Sequence, residues 1–287
     1  MKRFLIAFLA AFIIVGAIVA VGVSLRPGDR STGFFDWFDN LDSDGIHLGD
    51  GENGSGSLVP VDLNESAKWD QEKEIRVKSE VSDVIFVQGD SDQIEVKTTG
   101  KVTESIEVYL EIEKRTNSIQ IHLWQEQPKI LMTNTTNLDT VITLPKDFTG
   151  ELNVVTNVGD LDLGEFAGES VIVDSDVGEV IGTVEADEIE IESNVGDIDV
   201  KVAGGDIALK SDVGEITFDC AQADSIVAET DVGAIHANLS KAVVDLGIAA
   251  DSGVGDVNAS VSFEEGKDSG AAVQLYAGVG EVKIKEK

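Results

Sequence analysis

Asn157-Val158-Gly159-Asp160-Leu161, Asp176-Val177-Gly178-Glu179-Val180, Asn194-Val195-Gly196-Asp197-Ile198, Asp212-Val213-Gly214-Glu215-Ile216 and Asp231-Val232-Gly233-Ala234-Ile235 are copies of one motif. Two looser copies follow, Gly253-Val254-Gly255-Asp256-Val257 and Gly278-Val279-Gly280-Glu281-Val282. The motif valines are spaced by 19, 18, 18, 19, 22 and 25 residues. A near-constant period of this size signals stacked structural units. The residues around each valine say what the unit is. Six and four places before it stand apolar residues, such as Ile189 and Ile191 before Val195. Two places before it the residue is always small: Thr156, Ser175, Ser193, Ser211, Thr230, Ser252 or Ala277. After the valine, the apolar places are three and five on, such as Ile198 and Val200, with Gly182 an exception.

Strand side chains alternate faces with period two. The inward set is even before the valine and odd after it, so the chain changes face at Val-Gly. A glycine corner accomplishes that. The corner glycines are Gly159, Gly178, Gly196, Gly214, Gly233, Gly255 and Gly280. Two strands meeting at a glycine corner in each coil define an all-β, single-stranded β-helix-like solenoid. Coils then stack at about 4.8 Å. The hexapeptide solenoid of many acyltransferases is excluded, because Val195 plus six is Lys201.

Composition agrees. The 287 residues are 42% apolar, enough for a sizeable core, with 29 glycines for tight corners and only 4 prolines. The charge is −33, from 21 Lys+Arg against 54 Asp+Glu. A body this acidic repels nucleic acid, so none is expected as a partner. One cysteine excludes an internal disulfide and a Cys-based zinc site.

The chain divides into three parts. Residues 1–30 read as a cytoplasmic tip and a transmembrane anchor: Lys2 and Arg3 precede an uncharged run from Phe4 to Leu25. At about 1.5 Å per residue, that run spans a hydrocarbon core of roughly 30 Å. The N-terminal charges favour a single pass in the cell membrane with the C-terminal domain outside the cytoplasm. A signal peptide cleaved near Ala20-Val21-Gly22 is the alternative, giving a secreted or periplasmic protein. Residues 31–71 read as an acidic, Gly-rich juxtamembrane linker. Phe34, Phe35, Trp37 and Phe38 suit the membrane interface. Asn40, Asp42, Asp44 and Gly45 begin like a calcium loop, but position twelve is Gly51 and Glu52 falls one place late. A solvated linker is the preferred reading. Residues 72–287 form the solenoid domain, with regular coils from about 150.

Upstream of the repeats, residues 75–145 alternate as strands, and nothing outside the anchor looks helical. Here Ser82-Asp83-Val84-Ile85-Phe86-Val87-Gln88-Gly89-Asp90, Ile94-Glu95-Val96 and Leu144-Pro145 lead into the Val-Gly motifs. Over about residues 72–287 the chain resembles the DUF4097 family, also called the β-strand-repeat or candidate-adhesin domain. The resemblance implies a prokaryotic, envelope-associated β-solenoid and supplies no catalytic residues.

After each corner glycine stands Asp160, Glu179, Asp197, Glu215, Ala234, Asp256 or Glu281. Stacking turns the six carboxylates into a ladder with the oxygen ligands Ca²⁺ takes. The preferred reading is a hydrated, solubilising row, so no cofactor is expected, and Ca²⁺ or another hard cation is what the row would suit if it bound an ion. Gly204-Gly205-Asp206 matches a fragment of a calcium-binding nonapeptide, once only. Cys220 has inward parity and reads as a buried hydrophobe rather than a nucleophile. His122 and His236 have outward parity and are expected to face solvent. Lys283, Lys285 and Lys287 read as a charged cap on a terminal strand.

The reading that follows is a membrane-anchored, extracytoplasmic, non-catalytic solenoid for surface interaction, adhesion or envelope-stress response. Its partner would be an envelope or surface protein or polymer. A self-assembling, bactofilin-like scaffold is the alternative, and a glycan-active β-helix enzyme ranks below it.

Overall fold

The computed structural model describes residues 57–126, 136–266 and 270–287, and the fold is built from these. Gly56–Lys287 is one compact unit. The sequence expectations for Phe4–Leu25, for the aromatics after it and for the loop at Asn40 lie outside the described residues. Among the described residues no helix is long and apolar enough to cross a membrane.

The repeats form two parallel sheets that face each other. Strands β8 (Glu151–Val158), β9 (Leu161–Val177), β10 (Val180–Val195), β11 (Ile198–Val213), β12 (Ile216–Gln222), β13 (Ser225–Val232) and β14 (Ile235–Leu239) follow in order. Each corner glycine and the residue after it separate one strand from the next. β9, β10 and β11 each run from one sheet into the other, passing a second, wider corner near Gly168, Ala186 and Gly204. A coil is therefore two legs. The first leg of one coil pairs in register with the first leg of the next, as Ile189 with Ile207 and Val195 with Val213.

The parity read from the sequence holds. Ile189, Ile191, Ile198 and Val200 are all at most 1% exposed, and the equivalent places in the coils on either side are buried too, except Gly182 opposite Val200. Burying one such aliphatic side chain contributes roughly 1.5–3 kcal/mol before the cost of chain ordering is subtracted. Each coil supplies about four, so the core is a continuous column rather than a single nucleus.

The stack begins upstream of the glycine motifs. β2 (Glu74–Val81) lies beside β8, and β3 (Asp83–Gln88) beside β9. Their corner, Val81-Ser82-Asp83, uses no glycine and makes an eighth rung. Beyond it the sheets are closed by β4 (Gln93–Thr103), β5 (Glu107–Lys114), β6 (Ser118–Glu126) and β7 (Thr136–Leu144). β4 is antiparallel to β7, and β5 is antiparallel to β6.

Three expectations need correction. The linker was expected to reach residue 71, but Leu58–Lys68 is strand β1, antiparallel to β4 along its whole length. Val59 and Val61, two places apart, hold β1 over a small second core of Val102, Ile106 and Leu138. The terminal-cap expectation for the C-terminal lysines is also overturned. After a one-turn helix α1 (Lys241–Val244), the chain makes β15 (Ile248–Val254), β16 (Val257–Ala259) and β17 (Glu264–Glu265). It then returns as β18 (Val273–Val279) and β19 (Val282–Glu286), which insert between β13/β14 and β15/β16. The last strands in sequence are thus internal, and the end rung is β15/β16. Finally, α1 is helical where no helix was expected; Ser240 caps it by accepting the Val243 N–H at 3.4 Å.

Candidate functional site

The corner column is the most regular surface of the molecule, and its chemistry follows from how the rungs sit on each other. The rungs stack in the order Val81, Val158, Val177, Val195, Val213, Val232, Val279, Val254. Six of the seven corner-glycine amides, all but that of Gly255 on the end rung, are spent on the neighbouring rung: the Gly178 N–H donates to the Val195 carbonyl at 3.1 Å, and Gly196 to Val213 at 3.0 Å. A Cβ on Gly196 would lie 1.9 Å from the Gly178 carbonyl oxygen, and one on Gly178 would lie 2.0 Å from that of Gly159. The glycines are demanded by this close approach as much as by the turn, where φ is +151° at Gly178.

On three rungs the small residue two places before the valine has a role that the sequence did not disclose. Ser211 Oγ donates to the Gly196 carbonyl at 3.1 Å, Thr230 Oγ1 to Gly214 at 3.0 Å and Ser252 Oγ to Gly280 at 2.7 Å. On these rungs a hydroxyl behind the corner supplies a donor to the glycine carbonyl at the turn.

The carboxylates that follow the corners divide their labour by side-chain length. Asp160 Oδ1 accepts the Glu179 N–H at 2.9 Å, and Asp197 Oδ1 accepts the Glu215 N–H at 2.7 Å. Asp83, which the motif search missed because its corner lacks glycine, heads the series by accepting the Asp160 N–H at 2.9 Å. The glutamates reach sideways. Glu215 Oε1 accepts from Thr217 Oγ1 at 3.0 Å and lies 2.9 Å from His236 Nδ1; Glu281 Oε1 accepts from Asn258 at 2.8 Å. Burial, then Asp160, Asp197 and Asp199, push the Glu179 carboxyl above its usual range. Burial also raises Asp83, against the hydrogen bond it accepts. Among the described residues, no group of three or more His, Cys, Asp or Glu is arranged to hold a metal ion. Asp256 sits on the end rung.

The second corner carries an open trough of about 480 Å³. Its lining includes Gly168, Ala186 and Gly204, with Glu169, Asp187 and Asp224 beside them. Gly204-Gly205-Asp206 lies at this corner, where Asp206 Oδ1 accepts from Ser225 Oγ at 2.7 Å.

Cys220 is 2% exposed, and burial pushes its thiol up to about 11, which keeps it protonated at neutral pH. His236 is partly exposed on the outer face. His122 departs from expectation: it stacks on Trp124 with ring centroids 4.6 Å apart, and its Nε2 is buried. Trp124 in turn stacks on Tyr109 at 5.2 Å, a cross-strand aromatic pair on β5 and β6.

Comparison with known proteins gives a consistent frame. The family model described as Toastrack DUF4097 matches residues 72–201 and, a second time, 150–285. Solved structures similar to this chain include a candidate cell-adhesion protein from Clostridium sporogenes, 16% identical over 80% of this chain and 100% of that one, with a TM-score of 0.38. A candidate adhesin from Parabacteroides distasonis is 15% identical over 82% and 98%, with a TM-score of 0.38. A candidate lipid-binding protein from the same organism is 15% identical over 79% and 97%, with a TM-score of 0.37. The search of curated proteins found no match.

Proposed function

The chain belongs to the Toastrack DUF4097 family, and from that premise we propose a non-catalytic surface-interaction domain, held at the membrane by residues 4–25 and displayed outside the cytoplasm. The observation that carries this reading is the one-dimensional order of the outer surface. Side chains of one kind recur once per rung in rows, as in the valine and carboxylate columns. Catalysis calls for different groups converging on one reacting atom. Rows instead suit many similar contacts with an extended partner, an envelope protein or polymer, where weak contacts sum.

The ends speak against the scaffold alternative. Parallel rungs would have to continue from one copy into the next. One end is closed by antiparallel β1 and β5, and the other by β16 and β17, which are three and two residues long. A two- or three-residue edge strand offers little to pair with, and a reversed strand departs from the parallel pattern that the rungs would have to continue.

The test is a pull-down from envelope extract with the full chain, with calcium and with a chelator. Selective enrichment over a variant with scrambled outer-face residues is expected. Equal recovery by both removes the reading. Filaments in the purified protein would favour the scaffold instead.

A further inference from the structure

The corner valines make an apolar ridge on an acidic body. They align rung over rung, and exposure climbs towards one end of the column: 41% at Val232, 48% at Val279 and 68% at Val254, with Val158 near the other end at 40%. Val254 lies on the end rung, with no valine rung stacked beyond it, and just before Val279 and Val254 stand Gly278 and Gly253 where the middle rungs carry Asp176, Asn194 or Asp212. Acids flank the ridge on both sides here: Glu229, Asp231 and Asp251 before the corner, Asp256 and Glu281 after it, with Lys283 the basic exception.

We infer that this three-rung ridge is a docking site for a cationic amphipathic helix, a partner segment with an apolar stripe bordered by Lys or Arg. Three arguments select that occupant. Charge complementarity demands a cation, and the apolar ridge demands a stripe. The corner amides are already bonded to neighbouring rungs: Gly214 to Val232 at 3.0 Å, Gly233 to Val279 at 3.0 Å and Gly280 to Val254 at 3.0 Å. An added strand could pair only along the outer edge of the end rung, beside Val254, and not across the ridge, whereas a helix satisfies its own backbone and can lie over all three valines. The third argument sets the footprint. Helical turns repeat at about 5.4 Å and rungs at about 4.8 Å, a slip of about 0.6 Å per rung. Across three rungs the slip is about 1 Å and side chains adjust; across all eight it reaches about 4 Å and register is lost.

This inference deepens the surface-interaction reading and rests on it. The test uses the full chain in zwitterionic nanodiscs, with empty discs as the blank. The probe is a fluorescent Lys/Leu helix of about 18 residues, five turns. A peptide of the same composition, scrambled to disperse the leucines, is the control. The amphipathic peptide should bind at least tenfold tighter than the control by anisotropy. Val232→Ser, Val254→Ser and Val279→Ser together should erase that tenfold difference, while Val158→Ser on a distant rung should keep it. If the triple variant fails to fold, Val254→Ser alone should weaken binding about threefold, since it is the most exposed of the ridge. Equal binding of the two peptides, binding of neither, or a triple variant that binds like the parent would overturn the site. An envelope partner still recovered by the triple variant would remove this site and leave the broader reading standing.

Discussion

The near end of the solenoid and its regular stack solve the same problem, an excess of carboxylates, in opposite ways. At the near end, charges are neutralised by neighbours. Lys114 Nζ lies 2.9 Å from both Asp70 and Glu72 and also donates to the Lys68 carbonyl, tying β5 to the segment between β1 and β2. Trp69 meets Phe148 edge-on at 6.1 Å beside this clamp. In the stack from residue 150 to 239, Lys201 and Lys210 are the only Lys or Arg. There ion pairs are few, Lys210 with Asp212 at 3.7 Å and Lys287 of the inserted last strand with Asp219 at 2.5 Å among them, and most carboxylates are spent on backbone N–H groups and neutral side chains or stand in like-charged rows. Irregular structure permits specific ion pairs, whereas a repeat copies one side chain into the same place on every rung and brings like beside like. Stability in the stack must therefore come from packing and main-chain pairing.

The largest test of that contrast is a single methyl group. Gly196→Ala places a Cβ 1.9 Å from the Gly178 carbonyl oxygen, between two rungs that cannot part without breaking their pairing. We expect a loss of about 3 kcal/mol or more in urea unfolding. Gly247→Ala is the comparison: its φ is +92° but nothing lies within 4 Å of an added Cβ. Only backbone strain remains, about 1 kcal/mol. Equal losses would show that close stacking does not govern the corner.

The next test asks whether the near end is a separate cooperative layer. Val102 is 1% exposed in the small core that β1 covers. Val102→Ala should cost about 1–2 kcal/mol. The loss should appear as faster hydrogen exchange in β1 and β5, with the amides of β9 to β11 still protected. Uniform loss of protection would mean one cooperative unit.

A smaller effect is expected at the clamp. Burial raises the Glu72 carboxyl, but Lys114 and the N–H of Asp70 outweigh it, and the pKa is lowered from the usual 4.5. A lowered carboxyl contributes stability above its unfolded value, and that contribution is lost as pH falls through the folded one. Glu72→Gln should thus cost about 1 kcal/mol at pH 7. It should cost nothing once the pH is below the folded value. A deficit constant with pH in the urea series would count against the ion pair.

How much of this was legible in the sequence differs between the same two regions. In the stack, the even-to-odd switch around each valine marked Ile189, Ile191, Ile198 and Val200 as inward, because a repeat samples one geometry many times. The order of the last rungs was not legible. Val254 and Val279 have the same motif, and nothing local to either says that β18/β19 slips between β13/β14 and β15/β16. At the near end, Leu58–Lys68 reads as linker because its alternation is short and occurs once. The ladder was found from the glycines, so Asp83, whose corner has none, was invisible until its bond to the Asp160 N–H was seen.

The smallest effect separates the two charge strategies most cleanly. Burial first, then Asp160, Asp197 and Asp199, hold the Glu179 pKa above its usual value. For a carboxyl raised in the folded state, the sign reverses relative to Glu72. Its contribution to stability is full below the unfolded value and disappears as pH rises through the folded one. At pH 7 the ionised Glu179 is therefore a burden that the rung tolerates. Glu179→Gln should raise the unfolding free energy in urea at pH 7 by only a few tenths of a kcal/mol, since solvent screens an exposed carboxylate. Added salt should shrink the gain, because the same row is screened by ions. Glu72→Gln and Glu179→Gln thus move stability in opposite directions at neutral pH. If both variants lost stability together, the stack would have to be holding its carboxylates by attraction, and the contrast between the regions would fail.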